Sequence, residues 1–260
     1  MAVTAKATES TEPILRLRGV GRRFGGLDAV HGVDLEIRAG ERRAILGPNG
    51  AGKTTLFNVI SGEFPATAGT VELFGTDVTY LPGRKRAGMG LARTFQTSRL
   101  FHGLSVEDNV YLAVLGVKEG HLRPVRSARD DEMLEQARVV GAEMGLGEVL
   151  DRQVDELSHG EQRQLEVAMA RAANPKLMML DEPAAGLSRP ERVRLTELLL
   201  GLDPEITLIL IEHDMDVALR VANWVTMMHD GGVIVEGTPA EIRANETVHE
   251  LYLGSHHAEP

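Results

Sequence analysis

Eight consecutive residues, Gly47-Pro48-Asn49-Gly50-Ala51-Gly52-Lys53-Thr54, limit what this chain can become more than any other stretch. They fill every fixed position of G-x-x-x-x-G-K-[ST], with Thr55 directly behind, which is the pattern of a phosphate-binding loop. Gly47, Gly50 and Gly52 let the backbone turn tightly enough for successive amide N–H groups to point inward at phosphate oxygens. Lys53 supplies a mobile charge for the β- and γ-phosphates, and the Thr54 hydroxyl supplies a ligand for Mg²⁺. The flanks agree. Residues 42–46 read as a short strand running into Gly47, and residues 54–61 as a helix stopped by Gly62, so bound phosphates would rest on a helix N-terminus.

Composition excludes several classes. The chain has 260 residues, enough for a sizeable core, with 43% hydrophobic and 25% charged residues, as in an ordinary globular protein. A net charge of −10 argues against nucleic acid as a partner, because such binding rests on a basic surface. With no cysteine there is no disulfide, zinc–thiolate site or thiol nucleophile. Residues 1–13 are polar and acidic, expected to form a disordered tail rather than a signal peptide. No run approaches the ~18 apolar residues of a membrane span. The expectation is a cytosolic protein that reaches a membrane only through a partner.

Along the chain, residues 14–18, 33–37 and 70–75 alternate apolar and polar residues and read as antiparallel strands with one wet face. Phe24-Gly25-Gly26 lies in the turn between the first two, where an aromatic ring can stack on a base or fill a core. After a short strand ending near Arg93-Thr94-Phe95-Gln96 the character changes. Residues 105–114 and 130–144 carry apolar positions at helical spacing, and the second set comprises Met133, Ala137, Val140 and Met144. Between them, residues 116–129 read as a polar, solvated loop. From residue 176 the α/β rhythm returns. Residues 177–180 and 207–211 are apolar throughout, as in fully buried parallel strands. Helices follow from Ser188 and from Asp214, and Asp230-Gly231-Gly232 turns a hairpin. Thr238-Pro239-Ala240-Glu241 opens a final helix with a capping box, and residues 255–260 form a loose tail.

Three further stretches carry chemistry. Asp181 and Glu182 end one buried strand. Asp181 suits Mg²⁺ held through water, and Glu182, one residue on, suits a base for the water that attacks the γ-phosphate. His213 ends the other buried strand, where an imidazole can donate to the γ-phosphate and orient that water. Ser158 and Glu161 form a capping box within Leu157-Ser158-His159-Gly160-Glu161-Gln162. That helix start leaves amides and a hydroxyl open to an anion, a second phosphate-binding helix end in one chain. Two such ends imply one folded-over site or two copies sharing two nucleotides.

In this order the motifs resemble the nucleotide-binding subunit of an ATP-binding-cassette (ABC) transporter over residues 14–254. The resemblance implies a phosphate-loop (RecA-like) α/β core with an N-terminal antiparallel β-subdomain and an α-helical subdomain inserted at about residues 97–170. It makes Phe24 the adenine-stacking aromatic and residues 47–55 (Gly47, Pro48, Asn49, Gly50, Ala51, Gly52, Lys53, Thr54 and Thr55) the Walker A loop. Gln96 becomes the Q-loop glutamine, near both catalysis and metal. Leu157 to Gln162 become the signature, with Ser158, His159, Gly160, Glu161 and Gln162 facing nucleotide. Asp181 closes Walker B, Glu182 is the catalytic glutamate, Ala185-Gly186-Leu187-Ser188 is the D-loop, and His213 is the switch histidine. ATP and Mg²⁺ are implied, the metal lying on Thr54, Gln96 and Asp181. So is a head-to-tail dimer, of two copies or of this chain with a paralogue, in which each ATP lies between one Walker A and the other signature.

A narrower resemblance, to the larger ATPase of branched-chain amino-acid importers, rests on residues 92–101, 181–187, 212–215, 236–242 and 251–254. It implies membrane permease subunits as partners, a solute-binding protein acting indirectly, and a peripheral place on the cytoplasmic face of the membrane. Phe95, Leu100 and Phe101 are the residues expected to meet the permease. His159, where many signatures have glycine or tyrosine, and Ser188, where a D-loop more often has Asp or Asn, depart from the pattern. Urea, other amino acids or lipopolysaccharide remain as alternative cargoes. A repair or chromosome ATPase would need a long coiled coil between Gln96 and Ser158, and the stretch is too short. A translation-factor cassette would carry the motifs twice, and a phosphate-loop GTPase would carry Asn-Lys-x-Asp, which is absent.

Overall fold

The computed structural model describes residues 12–95, 99–117 and 128–248. It opens with a hairpin of β1 (Leu15–Phe24) and β2 (Leu27–Ile37). Alternation sets its two faces. Leu15, Leu17, Leu35 and Ile37 are buried, while Arg16 and Glu36 lie opposite one another on the wet face and pair at 2.7 Å. Next come β3 (Arg42–Leu46), α1 (Lys53–Ser61), β4 (Ala68–Leu73) and β5 (Thr76–Asp77). A four-stranded antiparallel sheet forms in the order β2-β1-β4-β5.

A short helix that the sequence does not announce, α2 (Gly83–Gly88), precedes β6 (Leu91–Arg93). The helical stretch consists of α3 (Val106–Val117), α4 (Ala128–Glu143) and α5 (His159–Ala172). The expected polar loop between the first two is narrower than its composition suggests. Residues 116 and 117 extend α3, and residues 128 and 129 begin α4. The intervening residues 118–127 lie outside those described. The chain then runs through β7 (Leu177–Asp181), α6 (Arg189–Leu200), β8 (Thr207–Ile211), α7 (Met215–Val221), β9 (Trp224–His229), β10 (Gly232–Gly237) and α8 (Pro239–Ala244). Capping boxes at Ser158, Ser188 and Thr238 start α5, α6 and α8 where the sequence signals place them.

A six-stranded sheet, β10-β9-β3-β8-β7-β6, is parallel except at β10. Its central strands are buried on both faces, which explains their unbroken apolar runs. Leu177, Met179, Ile209 and Ile211 face α1 and the antiparallel sheet. Met178, Leu180, Leu208 and Leu210, one step out of phase, pack with α3, α4, α5 and α6. The carboxyl ends of β3, β7 and β8 therefore open on one edge, where ligands bind in open α/β sheets.

One buried cation holds the first helix in place. The Arg86 guanidinium, 1% exposed, donates to the carbonyls of Val59 (2.8 Å) and Ile60 (2.6 Å) at the end of α1. It also reaches the carbonyls of Leu81 (2.9 Å), Val78 (2.6 Å) and Thr79 (3.3 Å). Burial lowers its pKa to about 10, with Asp77 pulling the other way.

Candidate active site

The loop between β3 and α1 has the geometry its composition demands. Gly52 lies at φ 94°, and a Cβ there would strike the carbonyl oxygen of Ala29. No side chain caps the N-terminus of α1, and its first turn holds no acid, so its positive end faces the cavity uncompensated. Lys53 is 6% exposed and folds back so that Nζ donates to the carbonyls of Gly47 (2.7 Å) and Pro48 (2.9 Å). Burial lowers its pKa, while Glu182 and Asp181 hold it up. A cavity of about 580 Å³ opens in front. Asn49 to Thr55, Glu182, His213 and the β9–β10 turn at Asp230 and Gly231 share its lining.

The two buried strands deliver Glu182 and His213 to the same mouth, while Asp181 stays buried behind it and outside the lining. Asp181 pairs with Ile211 in the β7–β8 ladder, and the Glu182 N–H donates to the Ile211 carbonyl at 2.9 Å. Glu182 then turns left-handed, at φ 51°, an unusual state for a residue with a Cβ. Its Oε1 lies 2.6 Å from His213 Nε2. Asp181 is different. Its side chain is fully buried, Oδ2 accepts from Arg93 Nη2 at 3.2 Å, and Oδ1 has no partner among the described residues. Burial raises its pKa, against the opposing effect of Arg93. A buried carboxylate oxygen without a donor fits a place in the hydration shell of a cation, so Asp181, with the Thr54 hydroxyl that lines the cavity, suits Mg²⁺.

Not every expected residue comes to this cavity. Ser158 to Gln162 lie elsewhere, at the start of α5, and do not line it. Phe24 is outside the lining as well. Its ring is 39% exposed, edge-on to Phe64 with centroids 5.5 Å apart and with the Arg22 guanidinium 4.5 Å above it, so it is not a core residue. Gln96 falls outside the described residues, as do residues 251–254. Leu100, expected to meet a partner, is buried in the main core at 8% exposure, while Phe101 stands 52% exposed.

The two departures from the motif pattern also find their surroundings. His159 packs its ring over Gly186, where a Cβ would come within 2.9 Å of Cε1. Ser188 caps α6, its Oγ 2.5 Å from the Glu191 carboxylate.

Sequence reasoning missed the supports. Arg93 holds Asp181 and also donates to Asn58 Oδ1 (2.7 Å) and Ser61 Oγ (2.6 Å) on α1. An arginine closing a short apolar strand was the available signal, since a buried cation needs partners. Glu212, 2% exposed, accepts from the Ala184 N–H at 2.7 Å and the His213 N–H at 3.2 Å. Burial pushes its carboxyl up to about 7, against the pull of those N–H groups and that of Asp214.

Lys53→Ala should remove the cation without disturbing the sheet, because its hydrogen bonds go to the loop carbonyls of Gly47 and Pro48 and not to a strand. Nucleotide titration should show ATP affinity weakened by about 10- to 100-fold, the weight of a charge-assisted contact to phosphate. Unchanged affinity would separate Lys53 from the phosphates.

Comparison with known proteins gives a consistent result. A sequence model of the ABC transporter family matches residues 30–185. A second, described as a branched-chain amino acid ATP-binding cassette transporter, matches residues 233–258. The high-affinity branched-chain amino acid transport ATP-binding protein LivG of Salmonella typhimurium is 40% identical over 94% of this chain and 99% of its own length. BraF of Pseudomonas aeruginosa, with the same description, is 37% identical over 94% and 99%. Among solved structures, the ADP conformation of MJ1267, an ATP-binding cassette of an ABC transporter, superimposes with a TM-score of 0.83. That similarity comes at 29% identity and covers 94% of this chain and all of that one.

Proposed function

This chain belongs to the ABC transporter family of ATP-binding, ATP-hydrolysing subunits, and from that membership we propose that it powers uptake of branched-chain amino acids through separate membrane permease subunits. The substrate rests on the relatives' end-to-end similarity and on the match at residues 233–258. The cargo itself is chosen by the permease and the solute-binding protein, so this subunit contributes only the cycle of ATP binding and hydrolysis.

One observation carries the catalytic reading: Glu182, His213 and the lysine-bearing loop share a single cavity, with Glu182 Oε1 2.6 Å from His213 Nε2. Residues 47–55 bind the phosphates, Lys53 exchanging its two loop carbonyls for phosphate oxygens. Glu182 takes the proton of the attacking water, and His213 holds that water and the γ-phosphate in line. Thr54 and Asp181 would hold Mg²⁺, with Gln96 as a further ligand. When bound, Mg²⁺ neutralises charge on the phosphates. Phe24 stacks on the adenine. Ser158 to Gln162 lie away from the cavity, which supports a second ATPase subunit, a copy or a paralogue, supplying its own signature across the nucleotide. Among the described residues no helix is long and apolar enough to cross a membrane, in keeping with a subunit held at the cytoplasmic face by its permease.

The test is reconstitution in lipid vesicles with branched-chain amino-acid permease subunits and a solute-binding protein from the same organism. Leucine, isoleucine or valine should raise ATP hydrolysis several-fold, GTP being a poorer substrate. Stimulation by urea or another amino acid alone would redirect the substrate, and none by any solute would overturn the importer role.

A further inference from the structure

Glu212 is buried, acidic and unused by the chemistry above, yet it sits one residue before His213 and reaches across to the loop that carries Glu182. One carboxylate oxygen accepts from the Ala184 N–H at 2.7 Å, two residues beyond Glu182. The other accepts from the N–H of His213 itself at 3.2 Å. Strand pairing ends at Asp181 and Ile211, so beyond that point the ladder no longer fixes the two loops relative to one another. The backbone tie that remains is the Glu182 N–H to the Ile211 carbonyl. Proline at position 183 has no N–H to offer. The next donor along the loop, Ala184, is the one Glu212 takes.

We infer that Glu212 is a positioning residue for hydrolysis, a two-ended strut that fixes the Glu182 loop against the His213 loop and so sets the approach of Glu182 Oε1 to His213 Nε2. Burial gives this strut its stiffness. With 2% exposure, the carboxyl group has little water to exchange with, and each oxygen is held by a backbone N–H. Both ends need an acceptor. Glutamine has nearly the same shape but only one acceptor, so its NH₂ would face a backbone N–H and one tie would open. Without that tie, the left-handed turn at Glu182 is free to relax, and a displacement of about 1 Å at a catalytic group costs on the order of 100-fold in rate.

The inference rests on the proposed roles of Glu182 and His213, and Glu182→Gln is assayed in parallel to keep the two separable. In the full-length chain, Glu212→Gln should lower kcat by about 10- to 100-fold at saturating ATP while the Kd for ATP stays within about threefold. An ATP-dependent dimer should accumulate on size exclusion, because binding persists while turnover stalls. A residue that merely stabilised the fold would instead move affinity, dimerisation and melting temperature together. A kcat within twofold of the parent would overturn the inference, as would loss of turnover matched by loss of ATP affinity or without the dimer. If Glu212→Gln behaves as the parent while Glu182→Gln is inert, the strut alone fails. If Glu182→Gln turns over normally, the site reading fails with it.

Discussion

Glu182→Gln is expected to lower ATP turnover by about 10³-fold while the affinity for ATP stays within about threefold. The substitution keeps the shape and the hydrogen bond toward His213 but removes the group that accepts a proton. The adjacent buried acids are not free to substitute: Asp181 is bound to Arg93, and Glu212 is committed to backbone N–H groups. The backbone at position 182 should hold, since its N–H bond to Ile211 and its left-handed turn involve no side-chain atom. An ATP-bound dimer should therefore build up. Phosphate release and size exclusion with ATP measure both halves of the result, and turnover within tenfold of the parent would remove Glu182 from the role of base.

The second large effect concerns stability. Arg86→Met should lower the free energy of unfolding by about 4 kcal/mol. Methionine fills much of the same space but takes the guanidinium from five carbonyls; Val59 and Val78 keep the N–H groups of Gly62 and Leu81, while Ile60, Leu81 and Thr79 are left without a donor among the described residues. Each lost bond to a charged donor costs about 1 kcal/mol or more when the acceptor stays buried. Burying the cation itself carries a penalty, visible in its lowered pKa, and methionine would recover part of it. The three orphaned acceptors, together with the two weakened ones, outweigh that gain. Urea denaturation read from the midpoint at constant m-value gives the difference directly. A change below about 1 kcal/mol would mean that water replaces the guanidinium.

These two residues mark where the sequence is readable and where it is not. Glu182 was legible because a buried strand imposes an apolar run, and two acids at its end stand out against it. The same holds for residues 47–54, where turn, charge and helix start must coincide within one loop. The three capping boxes were legible too, being local in sequence. Arg86 was not, because its acceptors come from α1 and from the segment after β5, and nothing in Gly83–Gly88 shows an amphipathic pattern. Arg93 and Glu212 share that character, since Asp181 and Ala184 are distant from them in the chain and meet them only when β6, β7 and β8 lie side by side. Leu100 is less exposed than its neighbour for a related reason. An apolar residue beside an exposed Phe101 suggests a contact surface, yet the turn of the backbone sends it into the core.

The imidazole of His159 lying over Gly186 has a mechanical meaning. It brings the start of α5 directly against the segment leading away from Glu182, so a shift of either would be felt by the other without deforming the sheet. A side chain at position 186, where the backbone is left-handed, would meet that ring and force the two segments apart.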